Sequence, residues 1–314
     1  MKPKPLDFSR VVTSSVADRA HRVETSMFAS LAEPKPGTPD VLDTFPDLLA
    51  AKLLKRLADR IASAHENGRP VVVGFGGHVV KTGLAPLLID LMERGLVTAL
   101  ATNGSGAIHD YEIAAVGHSS EDVGAGLDDG SWGMVGETAQ ALNASAVRAA
   151  SEGIGLGESV GRLIHEQDLP NASMSLAAAA HRLDMPLSVH VGIGTDTVHM
   201  HDNADGAAIG QASMTDFRLL ASVVAELSGG VYVNLGSAVI LPEVFVKALN
   251  VARNLGETIE GFTTANLDML RQYRPRVNVL QRPAGEAIEI TGHHEINLPL
   301  LRWAVLRRLQ DSAS

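Results

Sequence analysis

Apolar residues recur along this chain in two alternating rhythms. Over 45–67 they fall at Leu48, Leu49, Leu53, Leu54, Leu57 and Ile61, three or four apart, which predicts an amphipathic helix. The next stretch, Pro70-Val71-Val72-Val73-Gly74-Phe75, is a β-branched run that ends in glycines. Such a run suits a strand covered on both faces. The rhythm then returns to helical over 83–93, to strand over 97–101 and to helix over 107–117. The glycine- and aspartate-rich stretch 121–135 carries no period and reads as irregular. Helices are predicted over 136–150, 156–166, 173–182, 214–228 and 242–253. Strands are predicted over 187–191, 231–235, 262–264 and 287–290. A helix over 296–310 closes the chain, with basic residues in its last turns. Strand, glycine turn and helix alternate, which predicts an α/β fold with a doubly wound, mostly parallel sheet. Its ligand then belongs at the carboxyl ends of the strands.

No interior linker or repeat divides the body, so 41–314 reads as one α/β domain. Residues 1–40 read as an N-terminal arm and linker, extended around Pro34, Pro36, Gly37 and Pro39. Hydrophobic residues make up 45% of the chain and aromatics only 4%, so aliphatic side chains must build the core. The net charge of −10 disfavours binding to nucleic acid or to an anionic membrane, since both need a basic face. The chain has no cysteine, which excludes disulfides, thiolate metal sites and a cysteine nucleophile. No apolar run approaches the roughly 20 residues of a membrane span. Met1-Lys2-Pro3-Lys4 does not open a signal peptide, so a cytoplasmic protein is expected.

Four strand ends carry small or polar residues where a helix begins: 74–83, 102–106, 192–197 and 236–238. Glycine there lets backbone N–H groups approach a ligand, and a helix N-terminus favours an anion. Four such loops suit a dinucleotide better than a single phosphate. The strict G-x-G-x-x-G fingerprint is not in the right place, and P-loop and H-E-x-x-H motifs are missing. Histidines form the second signal. His78, His109, His190, His199, His201, His293 and His294 all fall at predicted strand ends or in the loops that follow. An imidazole there can serve as an acid or base. His199, His201 and His293 with Asp202 also have the residue types of a metal site.

These segments, in this order, resemble the deoxyhypusine synthase family from about residue 70 onward. The family's Thr-Ser-Asn-Leu-x-Ser-Ser-Gly loop corresponds to 76–83, and its Thr-Ala-Gly-Gly-x-Glu-Glu-Asp loop to 102–110. Its Thr-Asp-Gly-Ser segment corresponds to 195–198, and its triple glycine to 236–238. Its Thr-Ala pair corresponds to Thr264-Ala265, and its closing Ala-Asp-Ala-Ser-Leu-x-x-Pro-Leu-Leu to 292–301. The resemblance implies a doubly wound fold that binds NAD at strand ends, in a homotetramer. Carried over, the NAD contacts are His78, Thr82, Thr102, Gly104, Gly106, Asp196, Gly236, Ser237, Thr264 and Ala265. Asp196 is then the acceptor for a ribose hydroxyl.

The departures decide the chemistry. The family forms an imine on a lysine of a Trp-Gly-Lys motif before the last strand, and here no lysine follows Lys247. Deoxyhypusine synthase activity is therefore not expected. The family's acidic polyamine loop is shortened and carries Arg271, Arg274 and Arg276 against Asp268, which favours an anionic ligand. His293 stands in place of the family's Asp, and His109 in place of a Glu. The expectation is an NAD-dependent enzyme for a small, anionic substrate. His293 or His109 would be its acid or base, Lys81 would orient the anion, and His199 and His201 would complete the polar wall. No resident metal is assigned. Two alternatives stay open: a nucleotide-binding protein without turnover, and a metal-dependent lyase or hydrolase built on His199, His201 and His293.

Overall fold

Val71–Phe75, buried at all five positions, is an inner strand of a six-stranded parallel sheet. The computed structural model describes residues 8–29, 31, 33, 35 and 41–312. Pro34, Pro36, Gly37 and Pro39, read as a linker, lie outside the described residues. In chain order the elements are β1 (Val23–Glu24), α1 (Leu49–Glu66), β2 (Val71–Phe75), α2 (Gly77–Lys81), α3 (Ala85–Glu93) and β3 (Ala99–Asn103). Then come α4 (Gly104–Val116), β4 (His118–Ser119), α5 (Val123–Asp129), α6 (Gly136–Glu152), α7 (Leu156–Glu166), α8 (Leu176–Arg182) and β5 (Leu187–His190). The chain continues through α9 (Gly206–Ala225), β6 (Val231–Leu235), α10 (Ile240–Asn254), β7 (Thr263–Asp268), a π-helical segment Pro275–Gln281, β8 (Glu286–Thr291) and α11 (His294–Ser312).

The sheet order is β5-β3-β2-β6-β7-β8, with every pairing parallel. Counted by chain order among these six strands, that is 3-2-1-4-5-6, the order of dinucleotide-binding folds. The chain reverses direction across the sheet between β2 and β6, where connections leave to opposite sides. The strands alternate between two aliphatic layers. Val71, Val73 and Phe75 face one layer with Val231, Val233 and Leu235. Val72 and Tyr232 face the other, where Tyr232 stacks on Phe245 of α10 at 3.8 Å. Period-two alternation with apolar residues on both faces is what a helix-covered parallel sheet requires.

The predicted strands are all present, within a few residues at their ends. The helix starts differ more, and capping explains why. Asn103 caps α4 by accepting from Gly106 N–H, so the glycine loop read as 102–106 is already the first helical turn. Asp205 accepts from the amides of Ala207 and Ala208, starting α9 at Gly206 rather than at 214. The 121–135 stretch is not irregular throughout. Asp122 accepts from Gly124 and Ala125 and starts α5, which Gly130 ends in the left-handed region. The helix predicted over 83–93 is preceded by a separate short helix, α2.

Two buried carboxylates hold the helices to one another. Asp110 of α4 takes hydrogen bonds from Ser175 Oγ and the amides of Leu176 and Ala177, at the start of α8. Asp216 of α9 takes them from Gly157 of α7 and Val189 of β5. A carboxylate fits a helix N-terminus because it satisfies amides that the helix leaves unpaired. On the opposite side Arg302 of α11, only 2% exposed, donates to Asp90 of α3 at 2.8 Å, and Arg94 donates to the same carboxylate. Arg302→Met strips that buried carboxylate of its buried partner. The expected loss is about 3 kcal/mol, the size seen when one member of a buried pair is removed. It should appear as a lower urea midpoint, and an unchanged midpoint would mean that Arg94 alone satisfies Asp90.

Candidate functional site

The reversal point is built from close-packed backbone. Gly76 N–H donates to Leu235 O, and Gly236 N–H donates to Leu267 O. A Cβ on Gly76 would stand 2.8 Å from the Gly236 carbonyl oxygen, so neither turn can move away without separating the strands. Gly236 itself has φ +68°, and the His294 ring packs where its Cβ would be. Asn234 donates to Ser237 O at 2.9 Å and to Asn266 Oδ1 at 2.8 Å, which pins the β6 turn to β7. His78 opens α2, is exposed, and lies edge-on to the buried His294 at 5.9 Å. Burial holds the His294 imidazole below its ordinary value.

Beside this point a polar pocket of about 200 Å³ opens at the carboxyl end of β3. Its walls include Lys81 from the end of α2, Ser105 and His109 from α4, Trp132, and Thr195–Thr197. Behind them sits Glu112, 2% exposed. Its Oε2 accepts from Ser119 Oγ at 2.8 Å and from Arg19 Nη2 at 2.9 Å, and its Oε1 accepts from Thr138 Oγ1 at 3.2 Å. Ser119 also meets His109 Nδ1 at 2.6 Å. A hydroxyl has one proton, and Ser119 gives it to a carboxylate that can only accept. His109 Nδ1 must therefore carry the proton donated to Ser119, which leaves Nε2 as a lone pair. Burial pushes the His109 imidazole down to about 4, with Lys81 and Arg19 contributing in the same direction. His109 is thus neutral, in one tautomer, beside the ammonium of Lys81. Lys81 has no ion pair among the described residues.

The N-terminal segment builds the far wall. Val23–Glu24 pairs with His118–Ser119 as an antiparallel ribbon, which sets the Ser119 hydroxyl in place. Arg19 reaches Glu112 and, at 3.6 Å, Glu121. Gly133 N–H donates to Glu121, yet burial keeps that carboxyl above its ordinary value.

Asp196 enters from the loop after β5 and is 8% exposed. Burial pushes its carboxyl up to about 6, against one backbone hydrogen bond from Ser105. Its Oδ2 is buried without a hydrogen-bond partner. His199 Nδ1 accepts from the amides of Gly194 and Asp196, so its proton is on Nε2, 4.0 Å from Asp196 Oδ2. Asp196 lines the pocket and His199 lies behind it. An orphaned carboxylate oxygen has unused acceptor capacity, and this one lies against the Gly104 backbone.

The residues singled out in the sequence fall into two groups. Lys81, His109 and Asp196 line the pocket together, with His199 behind Asp196. His78 and Gly236 stand at the reversal point. Other residues are occupied by structure. Thr102 Oγ1 donates to Phe75 O at 3.0 Å, and Gly106 packs against that hydroxyl. Thr82 donates back to His78 O, and Ser237 Oγ accepts from Leu241 N–H. Gly104 lies against the Asp196 carboxylate. Thr264 and Ala265, 1% and 0% exposed, sit within β7 rather than at its carboxyl end. His201 is buried and bonded through Nε2 to Gly133 O, whereas His293 is exposed beside Glu295. His199, His201 and His293 do not converge, and among the described residues no three His, Asp or Glu side chains are grouped to hold a metal. Arg271 and Arg274 are surface residues paired with Glu289 and Glu243, Arg276 is exposed, and none of the three lines the pocket, whereas Lys81 does. Sequence reasoning missed Glu112, Ser119 and Arg19. They carry no local motif, and 93 residues separate Arg19 from Glu112.

No family model matches the chain, and no curated protein does. Among solved structures it is similar to a conserved LOR/SDH-type protein from Methanococcus maripaludis S2. The two share 14% identity over 89% of this chain and 76% of the other, with a TM-score of 0.56. It is also similar to AgrE, whose structure holds ornithine and NAD+. That match has 16% identity, a TM-score of 0.56, and covers 83% of this chain but only 33% of AgrE. A protein described as a deoxyhypusine synthase from Entamoeba histolytica matches at 11% identity and a TM-score of 0.49, too distant to weigh on family. The fold is Rossmann-related α/β, as the strand order also requires. Among the described residues no helix is long and apolar enough to cross a membrane.

The His109 arrangement has a measurable sign. The unfolded chain takes up a proton at this imidazole near pH 6.5, whereas the folded chain refuses it until about pH 4. The group therefore withdraws stability as pH falls through that window. His109→Gln should gain on wild type between pH 6.5 and 4, by up to about 1.4 kcal/mol per pH unit. Nitrogen-15 NMR of the wild type should show the Nδ1–H tautomer down to pH 5, and Ser119→Ala should release it. A His109 that titrates near pH 6.5 would sink the assignment.

Proposed function

We propose that the chain binds NAD at the carboxyl edge of its sheet and acts on a small anionic substrate in the polar pocket beside it. One observation carries this reading. A neutral imidazole of fixed tautomer, an ammonium with no counter-ion and an unpartnered buried carboxylate oxygen meet at the carboxyl edge of a 3-2-1-4-5-6 sheet. Ligands of such sheets bind at that edge, near the reversal point.

The residues fit a dinucleotide in two respects. The turns at Gly76 and Gly236 bring the carboxyl ends of β2, β6 and β7 together at the reversal point, where the ligands of such sheets bind. The Asp196 Oδ2 atom lacks a donor, and a ribose hydroxyl is one. Gly76, His78, Gly236 and Asp196 are the residues that would hold the cofactor. When bound, NAD supplies hydride acceptance or donation.

This chain's residues supply the rest. The Lys81 ammonium binds a substrate carboxylate or phosphate by a charge-assisted hydrogen bond. His109 Nε2 takes up the proton of a substrate hydroxyl or amine, and its low proton affinity keeps the lone pair available through neutral pH. Glu112, through Ser119, holds the ring in that orientation and stabilises the imidazolium that forms. The same geometry in the protonated state returns the proton in the reverse direction.

A calorimetric titration with NAD tests the first half, and micromolar binding is the expected result. Small carboxylates are then screened by thermal shift. Lys81→Met should weaken any that bind by about tenfold or more, the worth of a hydrogen bond to a charged group. No heat at millimolar NAD would remove the cofactor from this reading.

A further inference from the structure

The loop that follows β5 has two faces. Thr195, Asp196 and Thr197 line the polar pocket, while Ile193 turns to a second cavity of about 350 Å³ between α9 and α10. That groove is larger than the polar pocket and lies at the same edge of the sheet. His190, the last residue of β5, lies at one end, and Val239 and Ile240, just after β6, lie at the other. Its walls are mainly aliphatic, with Phe217 as the aromatic member. Ile193 is 63% exposed, Met214 50% and Val239 45%. Three large apolar side chains left open around one concavity mark a surface that something covers.

The polar groups of the groove narrow what that is. Ser213 is satisfied, donating to Val189 O and accepting from Val191 N–H. The Glu243 carboxylate takes Lys247, Arg274 and Asn278. His190 is 4% exposed and bonds Ser188 Oγ through Nε2 at 2.9 Å. Its Nδ1 has no protein partner among the described residues. The groove therefore offers apolar walls and one unused hydrogen-bonding nitrogen on a largely buried histidine. An aliphatic chain would fill the walls and leave that nitrogen unpaired. A flat heteroaromatic ring satisfies both.

We infer that this groove is the base subsite of a nucleotide and takes an adenine ring between α9 and α10, with His190 bonding its edge. The inference rests on the nucleotide reading above and adds to it the place and class of the ring. A nucleotide joins a flat base, a hydroxylated sugar and an anionic phosphate. The chain presents, in adjoining cavities, an apolar slot with one imidazole nitrogen, an unpartnered carboxylate oxygen and the glycine turns of the reversal point. The 192–197 loop lies between the first and the others.

Gly210 gives the test. It lines the groove from α9, and a Cβ there would meet nothing within 4 Å. Gly210→Leu fills the groove from a helix that gains propensity by the change, so folding is kept. Binding of AMP, nicotinamide mononucleotide and NAD is measured by calorimetry on wild type and variant. AMP and NAD should each weaken at least tenfold in the variant, while nicotinamide mononucleotide is unchanged. Equal AMP affinity in the two proteins would overturn the inference and leave the cofactor reading standing. AMP binding lost in the variant, with no NAD binding in wild type, would uphold the groove and remove the dinucleotide. Wild type that binds no AMP overturns it outright. So does a variant whose only change is its oligomeric state, because the groove would then be a contact between copies.

Discussion

Glu112 is a carboxylate that folding has taken almost entirely out of water, and much of the site follows from that. An ionised carboxylate in such a place must find donors nearby, or folding would protonate or expel it. The donors come from three distant parts of the chain: Arg19 from the N-terminal segment, Ser119 from the short ribbon and Thr138 from α6. Satisfying this one charge draws the arm onto α4, closes the back of the pocket and fixes the ring of His109. The carboxylate is thus both a tether of the fold and the reason the imidazole in the pocket is held in one tautomer. Its role resembles that of Asp110 and Asp216, which fasten helix starts in the same way. Glu112 differs in that one of its donors passes the orientation on to a group that faces solvent.

The fold was largely legible in the sequence because its strands are legible. Val71–Phe75 is apolar without a break and Val231–Leu235 is broken only by Asn234, and burial on both faces leaves few other ways to place them. Helix starts were harder to read. Asn103, Asp122 and Asp205 begin helices by a local hydrogen bond that hydrophobic periodicity does not register. Glycine misled most where it lies inside a first turn, as in Gly104–Gly106. There the residue that suggests a loop is tolerated because a cap has already fixed the chain.

The site was legible only in part, for a different reason. Strand-end position picked out Lys81, His109 and Asp196, since the carboxyl edge of a parallel sheet is where loops converge. It also picked out Thr102 and Gly106, which at the same edge serve to pack β2 against β3. Sequence position cannot tell a hydroxyl that faces a ligand from one that bonds a neighbouring strand. The Arg19–Glu112–Ser119 chain had no local signature at all. Its members meet through tertiary pairing, and that pairing becomes visible only when the 23–24 segment is seen against 118–119.

Burial also reverses the order in which the pocket titrates. In water a carboxyl loses its proton well below the range in which an imidazole gains one. Here Asp196 is pushed up to about 6 and His109 down to about 4, both mainly by desolvation. Acidification from neutral pH therefore adds its first proton to the aspartate and not to the histidine. The pocket loses a negative charge while its imidazole lone pair stays free. An anion held by Lys81 then meets less repulsion, yet the base remains in its working form. The two shifts share one main origin, the desolvation of both groups by burial. Burial thus sets both the charge that selects the ligand and the protonation state of the group that acts on it, while the Ser119–Glu112 pair sets only the tautomer.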